Sequence, residues 1–230
     1  MNFPHFSKGV FLRHCGVFRD RRDAGRQLAG RLASFAGRGD LLVLGLARGG
    51  VPVAFEVARA LAAPLDVLII RKLGVPGQRE LAMGAIASGG VRVLNSQIVC
   101  RIPDAEAVID EVAAVEQREL ERRETQYRGD RAALEVDGKV VIVVDDGLAT
   151  GASMRAAVLA LRQREAAQVV VAVPIGSPEA CVALAAETDE LICLTAPMDF
   201  EAVGQGFDDF SQTTDDEVRA LLAEANASMP

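Results

Sequence analysis

The chain has no tryptophan, one tyrosine and only two histidines in 230 residues. Both histidines, His5 and His14, fall in the first 17 residues, so the rest of the chain offers no imidazole. That removes Ser-His-Asp and Cys-His catalysis and most zinc sites from consideration. The four cysteines, Cys15, Cys100, Cys181 and Cys193, have neither C-x-x-C nor metal-ligand spacing, and they read as reduced, mostly buried thiols. No apolar run approaches the ~20 residues of a membrane span, and no signal-peptide pattern starts the chain, so a cytoplasmic location is the default. The formal charge of −7, with so few aromatics, disfavours a nucleic-acid partner held by phosphate neutralisation and base stacking. Carboxylates, Lys/Arg, backbone amides and a hard metal remain for chemistry.

Hydrophobic residues make up 50% of the chain and charged residues 25%, the balance of a globular protein. Short apolar runs at 41–46, 66–70, 139–144, 168–173 and 190–194 have strand length. Helical spacing marks 19–35, 50–61, 104–128, 151–164, 178–187 and 215–225. Strands alternating with helices predict an α/β fold, an open parallel sheet with helices on both faces. Residues 1–17 have no clear period and read as an N-terminal tail, 18–195 as the core, and 196–230 as a small C-terminal addition with a last helix. The segment RKLGVPGQRELAMGAIASGG, 71–90, is irregular and glycine-rich, with part able to form a hairpin with VRVLN, 91–95. A segment of that length is usually functional or mobile. The long polar helix at 104–128 and the N-terminal tail are candidate surfaces for a homodimer contact.

The most informative stretch is VVIVVDDGLATGASM, 140–154. A buried strand ends in two carboxylates, Asp145 and Asp146, and a loop of small residues then opens a helix. A helix N-terminus presents free N–H groups and partial positive charge, a ready phosphate site. Thr150 and Ser153 add hydroxyl donors, while Ala149, Gly151 and Ala152 let the backbone close on the anion. No lysine follows, so the loop suits one monophosphate rather than a nucleoside triphosphate. The two aspartates repel phosphate but accept hydrogen bonds from vicinal hydroxyls. A ribose 5-phosphate moiety satisfies both halves. The plainer alternative is a strand end followed by an ordinary turn and cap.

VIVVDDGLATGAS resembles the phosphoribosyl-pyrophosphate signature of the type I phosphoribosyltransferases. The wider order is similar too: a small-residue loop after the first core strand, a flexible loop after the second, and a C-terminal hood. The likeness spans roughly residues 40–215. GLARGGVPVA and the FEAVGQGFDDFSQTTDDEV tail look most like a bacterial group of unsettled substrate. The resemblance implies ribose hydroxyls on Asp145 and Asp146, and the 5-phosphate on Ala149, Thr150, Gly151, Ala152 and Ser153. It implies pyrophosphate on Ala47, Arg48, Gly49 and Gly50, whose consecutive amides can form a nest. It also implies pyrophosphate contacts from Arg71 and Lys72, since RKLGVPG resembles the flexible-loop start of adenine phosphoribosyltransferases. Taken alone, LARGG is a tight turn with an exposed arginine, and Arg71–Lys72 a solvated basic pair.

The family reaction displaces pyrophosphate from ribose C1, with Mg²⁺ bridging pyrophosphate and ribose hydroxyls. Which residues touch the metal is open, because Mg²⁺ leans on waters and substrate oxygens. Hypoxanthine-guanine members carry an aspartate where this chain has Ala149. Adenine members have alanine there and use a loop glutamate, which makes Glu80 the candidate proton carrier. Phe200, Phe207 and Phe210 are the hood aromatics available to stack on a base, Phe207 being the candidate, and Val203 and Gly204 could supply backbone contacts. A core role for these rings is the alternative. The expected partners are phosphoribosyl pyrophosphate and a purine- or pyrimidine-like base, which places the chain in nucleotide metabolism. A regulator that binds phosphoribosyl pyrophosphate without turnover is the second hypothesis, and a phosphoribosyl-handling hydrolase or phosphorylase the third.

Overall fold

The computed structural model describes residues 9–11 and 17–227. In chain order these form β1 (Gly9–Phe11), α1 (Arg21–Arg31), β2 (Leu41–Leu46), α2 (Gly50–Leu61), β3 (Leu65–Leu68), β4 (Ile70–Val75), β5 (Gln78–Ala87) and β6 (Val91–Leu94). There follow α3 (Ser96–Val99), α4 (Ala105–Arg128), β7 (Val140–Val144), α5 (Ala152–Gln163), β8 (Gln168–Ile175), α6 (Pro178–Ala185), β9 (Glu190–Thr195) and α7 (Asp215–Ala227). The main sheet has the order β1-β9-β8-β7-β2-β3, with every pairing parallel. This is the open α/β sheet expected from the alternation of strands and helices.

Side-chain alternation along the strands builds two cores. Leu41 and Val43 of β2, and Val140, Ile142 and Val144 of β7, join one cluster with α1, α2, α4 and α7. Leu42 and Leu44 of β2, and Val141 and Val143 of β7, join the other with α5 and α6. Every residue of β2 and β7 is buried, which is why both read as unbroken apolar runs. Each such side chain contributes about 1.5–3 kcal/mol through burial. Among the described residues no helix is long and apolar enough to cross a membrane.

Four segments depart from the sequence reading, the first being 66–70, where β3 ends at Leu68 and β4 of a second sheet begins at Ile70. Gly9–Phe11, inside the expected tail, pairs with Leu191–Cys193 as a short edge strand; the rest of 1–16 lies outside the described residues. The helix expected over 19–35 starts at Arg21, where the Asp20 carboxylate accepts from the Asp23 amide at 2.7 Å, and gives way at Leu32 to a 3-10 turn over Ala33–Phe35. The segment 71–90 holds more strand than expected: the hairpin with 91–95 is present as β5–β6, and the start of the segment is a strand too. It folds into β4 and β5, which with β6 make a three-stranded antiparallel sheet. Its glycines occupy turns and a close strand approach: Gly77, Gly89 and Gly90 have positive φ, and a Cβ on Gly84 would meet the Val93 carbonyl at 2.5 Å.

The C-terminal addition is joined to residues 18–19. The Phe18 amide donates to the Gly206 carbonyl, and the Asp208 and Asp209 amides donate to the carbonyls of Phe18 and Arg19. Residues 206–209 are therefore fixed to a segment near the start of the described chain. Elsewhere α4 is tied to β3 by a buried ion pair, with Arg128 Nε 2.9 and 3.0 Å from the two Asp66 oxygens and Nη2 2.7 Å from the Val67 carbonyl.

Candidate active site

From β2 the chain moves to β3 on one side, whereas β7 is followed by β8 and β9 on the other. A reversal of this kind leaves a crevice at the carboxyl ends of the two central strands, where open α/β sheets take ligands. The loops that meet there are 47–50 after β2 and 145–151 after β7. They are in contact: a Cβ on Gly50 would lie 2.5 Å from the Val144 carbonyl and 2.8 Å from Asp145 Cα, and one on Gly49 would overlap the Asp146 carboxylate. Only glycine fits at either position.

Asp145 and Asp146 are both recessed. Asp145 Oδ1 accepts from the Asp146 amide at 2.8 Å. Burial pushes the Asp145 carboxyl well above the ordinary carboxylate range, and the neighbouring Asp146 adds to that. Asp146 is also raised by burial, with Arg21 acting against the rise. Arg21 Nε donates to Asp146 Oδ2 at 2.8 Å, and its Nη1 donates to the Ser211 carbonyl at 2.6 Å. The same guanidinium lies 4.0 Å from the centre of the Phe210 ring.

The loop that opens α5 is shaped by Gly151, at φ 73°, and by the Ala152 amide, 3.4 Å from Thr150 Oγ1. Its floor is α6: Ser177 Oγ donates to the Ala149 carbonyl at 2.9 Å and accepts from the Ala180 amide. Thr150, Gly151, Ala152 and Ser153 line a cavity of about 470 Å³ together with Lys72 of β4 and Asn95. Lys72 thus faces the same cavity as the α5 loop. Its neighbour Arg71 is engaged elsewhere, with Nε 2.7 Å from Glu116 of α4. Arg48, beside Ala47 in the β2 loop, lies 3.5 Å from Asp215 at the start of α7. Asp215 also accepts from the Tyr127 hydroxyl at 2.6 Å, and burial followed by that bond pushes the Tyr127 phenol up to about 12.

The structure places Phe207 in the core at 7% exposure, between Phe18 at 5.6 Å and Phe210 at 5.0 Å. Phe210 is the most exposed of the three hood rings, at 36%, and Phe200 is partly buried. Phe207 is therefore a packing residue: spacing along the chain shows which rings belong to the hood but not which one faces out. Glu80 belongs to β5, and its side chain lies outside the described residues.

Residues 20–209 match the family described as the phosphoribosyl transferase domain. The chain belongs to that family. "Putative phosphoribosyl transferase Rv0571c" of Mycobacterium tuberculosis (strain ATCC 25618 / H37Rv) is 51% identical over 210 residues, covering 91% of this chain and 47% of that protein. "Putative phosphoribosyl transferase MT0597" of strain CDC 1551 / Oshkosh matches to the same extent. The chain spans about half the length of the curated relatives it matches. The crystal structure of TT1426 from Thermus thermophilus is similar at a TM-score of 0.81 and 45% identity, covering 90% of this chain and 98% of that one.

In this phosphoribosyl transferase domain, one contact to the paired aspartates was not foreseen from the sequence, that of Arg21. It is 125 positions from Asp146, inside FRDRRD, which reads locally as a charged helix start. Ser177 was missed too, although Ser-Pro before an apolar run is a legible N-cap that could have drawn attention to it.

Proposed function

We propose that the chain moves ribose 5-phosphate from phosphoribosyl pyrophosphate to a nitrogenous base and releases pyrophosphate. One observation carries this reading: two recessed carboxylates stand at the strand reversal, with a glycine-bearing loop pressed against them and an anion-suited helix start following them. A ligand whose hydroxyls reach Asp145 and Asp146 then has amide donors of 149–153 for one phosphate and of 48–50 for another, the Ala47 amide being bonded to the Leu68 carbonyl at 3.0 Å. Lys72 fits the 5-phosphate side of this arrangement. Arg48 and Arg71 meet pyrophosphate by giving up Asp215 and Glu116.

In the reaction the C1–O bond to pyrophosphate breaks, its electron pair leaves with pyrophosphate, a C1–N bond forms, and the base sheds a proton. Glu80 is the proposed proton carrier. The base stacks on the hood, where Phe210, the more exposed ring, takes the role first assigned to Phe207 once Arg21 leaves it; a stacked ring contributes about 1–3 kcal/mol. The residues suit Mg²⁺ carried on ligand oxygens: two adjacent carboxylates face one guanidinium, leaving room for further positive charge. Asp145 and Asp146 would hold the ion through the ligand's hydroxyls, and it would supply neutralisation of the leaving group.

Calorimetric titration with phosphoribosyl pyrophosphate and Mg²⁺ tests the donor site, and absence of binding sinks the proposal. A panel of purine, pyrimidine and pyridine bases assayed for pyrophosphate release tests the transfer. Donor binding without release for any base would favour the regulator. Glu80→Gln lowers turnover more than affinity if Glu80 carries the proton.

A further inference from the structure

Arg21 spans the candidate site. Its Nε holds Asp146 Oδ2, its Nη1 holds the Ser211 carbonyl, its guanidinium covers the Phe210 ring, and its side chain is only 11% exposed. Asp146 Oδ2 is enclosed on another side by Gly49, where even a methyl group would overlap it. Arg21 fills one acceptor position of this oxygen and Gly49 crowds it, so a ligand hydroxyl that takes that position displaces Arg21. The hood is anchored unevenly around the same contact. Residues 206–209 are fixed to Phe18 and Arg19 by three backbone hydrogen bonds. Phe210 and Ser211 are held by Arg21, by packing of the ring on Phe207 and Gly204, and by a bond from the Ser211 amide to Asp209 Oδ1. Withdrawing Arg21 therefore loosens two residues and leaves the rest of the hood in place.

We propose that Arg21 is a gating residue that closes the hydroxyl-accepting oxygen of Asp146 and one face of Phe210 together, so that the phosphoribosyl donor displaces it and uncovers the ring for the acceptor. The inference rests on the reading of Asp145–Asp146 as the ribose site. It adds that the donor and acceptor halves are coupled through a side chain from α1. Arg21 acts through Asp146 and Phe210 and is a positioning residue for both.

The absence of tryptophan gives a direct test. Phe210→Trp makes a single-tryptophan protein whose emission reports on the guanidinium beside the ring. Titration with phosphoribosyl pyrophosphate and Mg²⁺ should shift that emission, with half-saturation at the dissociation constant found by calorimetry. In Phe210→Trp/Arg21→Met the donor should still bind and the shift should be lost. A second measurement keeps the native ring size: in protein labelled with 4-fluorophenylalanine, the ¹⁹F resonance that Phe210→Leu removes should move on donor binding, and stay still in Arg21→Met. Donor binding that leaves emission and ¹⁹F resonance unchanged overturns the gate alone. So does a shift that survives Arg21→Met, or loss of donor binding in that variant, which would make Arg21 part of the donor site rather than something displaced from it. No donor binding by the unmodified protein overturns the ribose-site reading and the gate with it.

Discussion

Asp145→Asn should make the ligand-free protein more stable while weakening donor binding. Asp145 is buried beside a second carboxylate, and the nearby Arg21 guanidinium bonds to Asp146. Its folded pKa is raised above the unfolded value of about 3.9, so the folded state holds the proton more tightly than the unfolded chain. Stability from this group is fullest below the unfolded pKa and is lost as pH rises through the window up to the folded pKa. At neutral pH the unfolded chain ionises this carboxyl freely while burial opposes its charge in the folded state, a cost that asparagine removes, and the asparagine carbonyl can still accept from the Asp146 amide. The gain should be about 0.5–2 kcal/mol, the usual size for a stabilising substitution, or roughly 1–8 °C in Tm for a chain of this length. Scanning calorimetry should show the gap near pH 7 and its closure toward about pH 4. Donor affinity should move the other way. Losing a charged acceptor costs about 1.5–3 kcal/mol, which is roughly 10- to 150-fold in Kd. A variant that melts lower than the parent at neutral pH, or binds donor as tightly, refutes the account of Asp145 as a strained hydroxyl acceptor.

Gly49→Ala should drive a methyl group into the Asp146 carboxylate, with a cost of about 1–3 kcal/mol for overpacking and at least a tenfold loss of donor affinity by calorimetry. Arg128→Met leaves Asp66 buried without its cation, a loss of about 3–5 kcal/mol, so Tm should fall by roughly 6–20 °C. Adding Asp66→Asn should restore part of that fall, and a strictly additive further loss would show that the two side chains do not act as a pair. Ser177→Ala removes both the α6 cap and the bond to the Ala149 carbonyl. It should lower Tm by roughly 2–4 °C for about 1 kcal/mol of lost capping and weaken ribose 5-phosphate binding, with melting and titration as the checks.

β2, β7, β8 and β9 were legible as strands because both their faces are buried, so their sequences are nearly all apolar. The signature loop was legible for a local reason: the carboxylates, the small residues and the helix start all lie close together in the chain. The antiparallel sheet was less so. Its residues pair across β4–β6 only once Gly77, Gly89 and Gly90 turn the chain, and the same glycines in sequence suggest a loop. Long-range polar partners were not legible at all. Nothing near Arg21 points to Asp146, and nothing near Arg128 points to Asp66, since each pairing depends on the finished sheet and helix positions. Phe207 and Phe210 are the same residue type in the same short segment, and only packing against Phe18 separates the buried ring from the open one.

The clasp between Phe18–Arg19 and Gly206–Asp209 has a consequence for synthesis. Ribosomes make the amino end first, so the loops after β2 and β7 can form well before the hood segment emerges to meet its partner. Contacts that span nearly the whole chain close late and slowly. Until they close, Arg21 lacks its anchor on Ser211 and the Phe210 ring is not yet in place beside Phe207. A partly synthesised chain could therefore form the loops after β2 and β7 while Phe210 and Ser211 take their places beside Arg21 only once residues 206–211 have emerged.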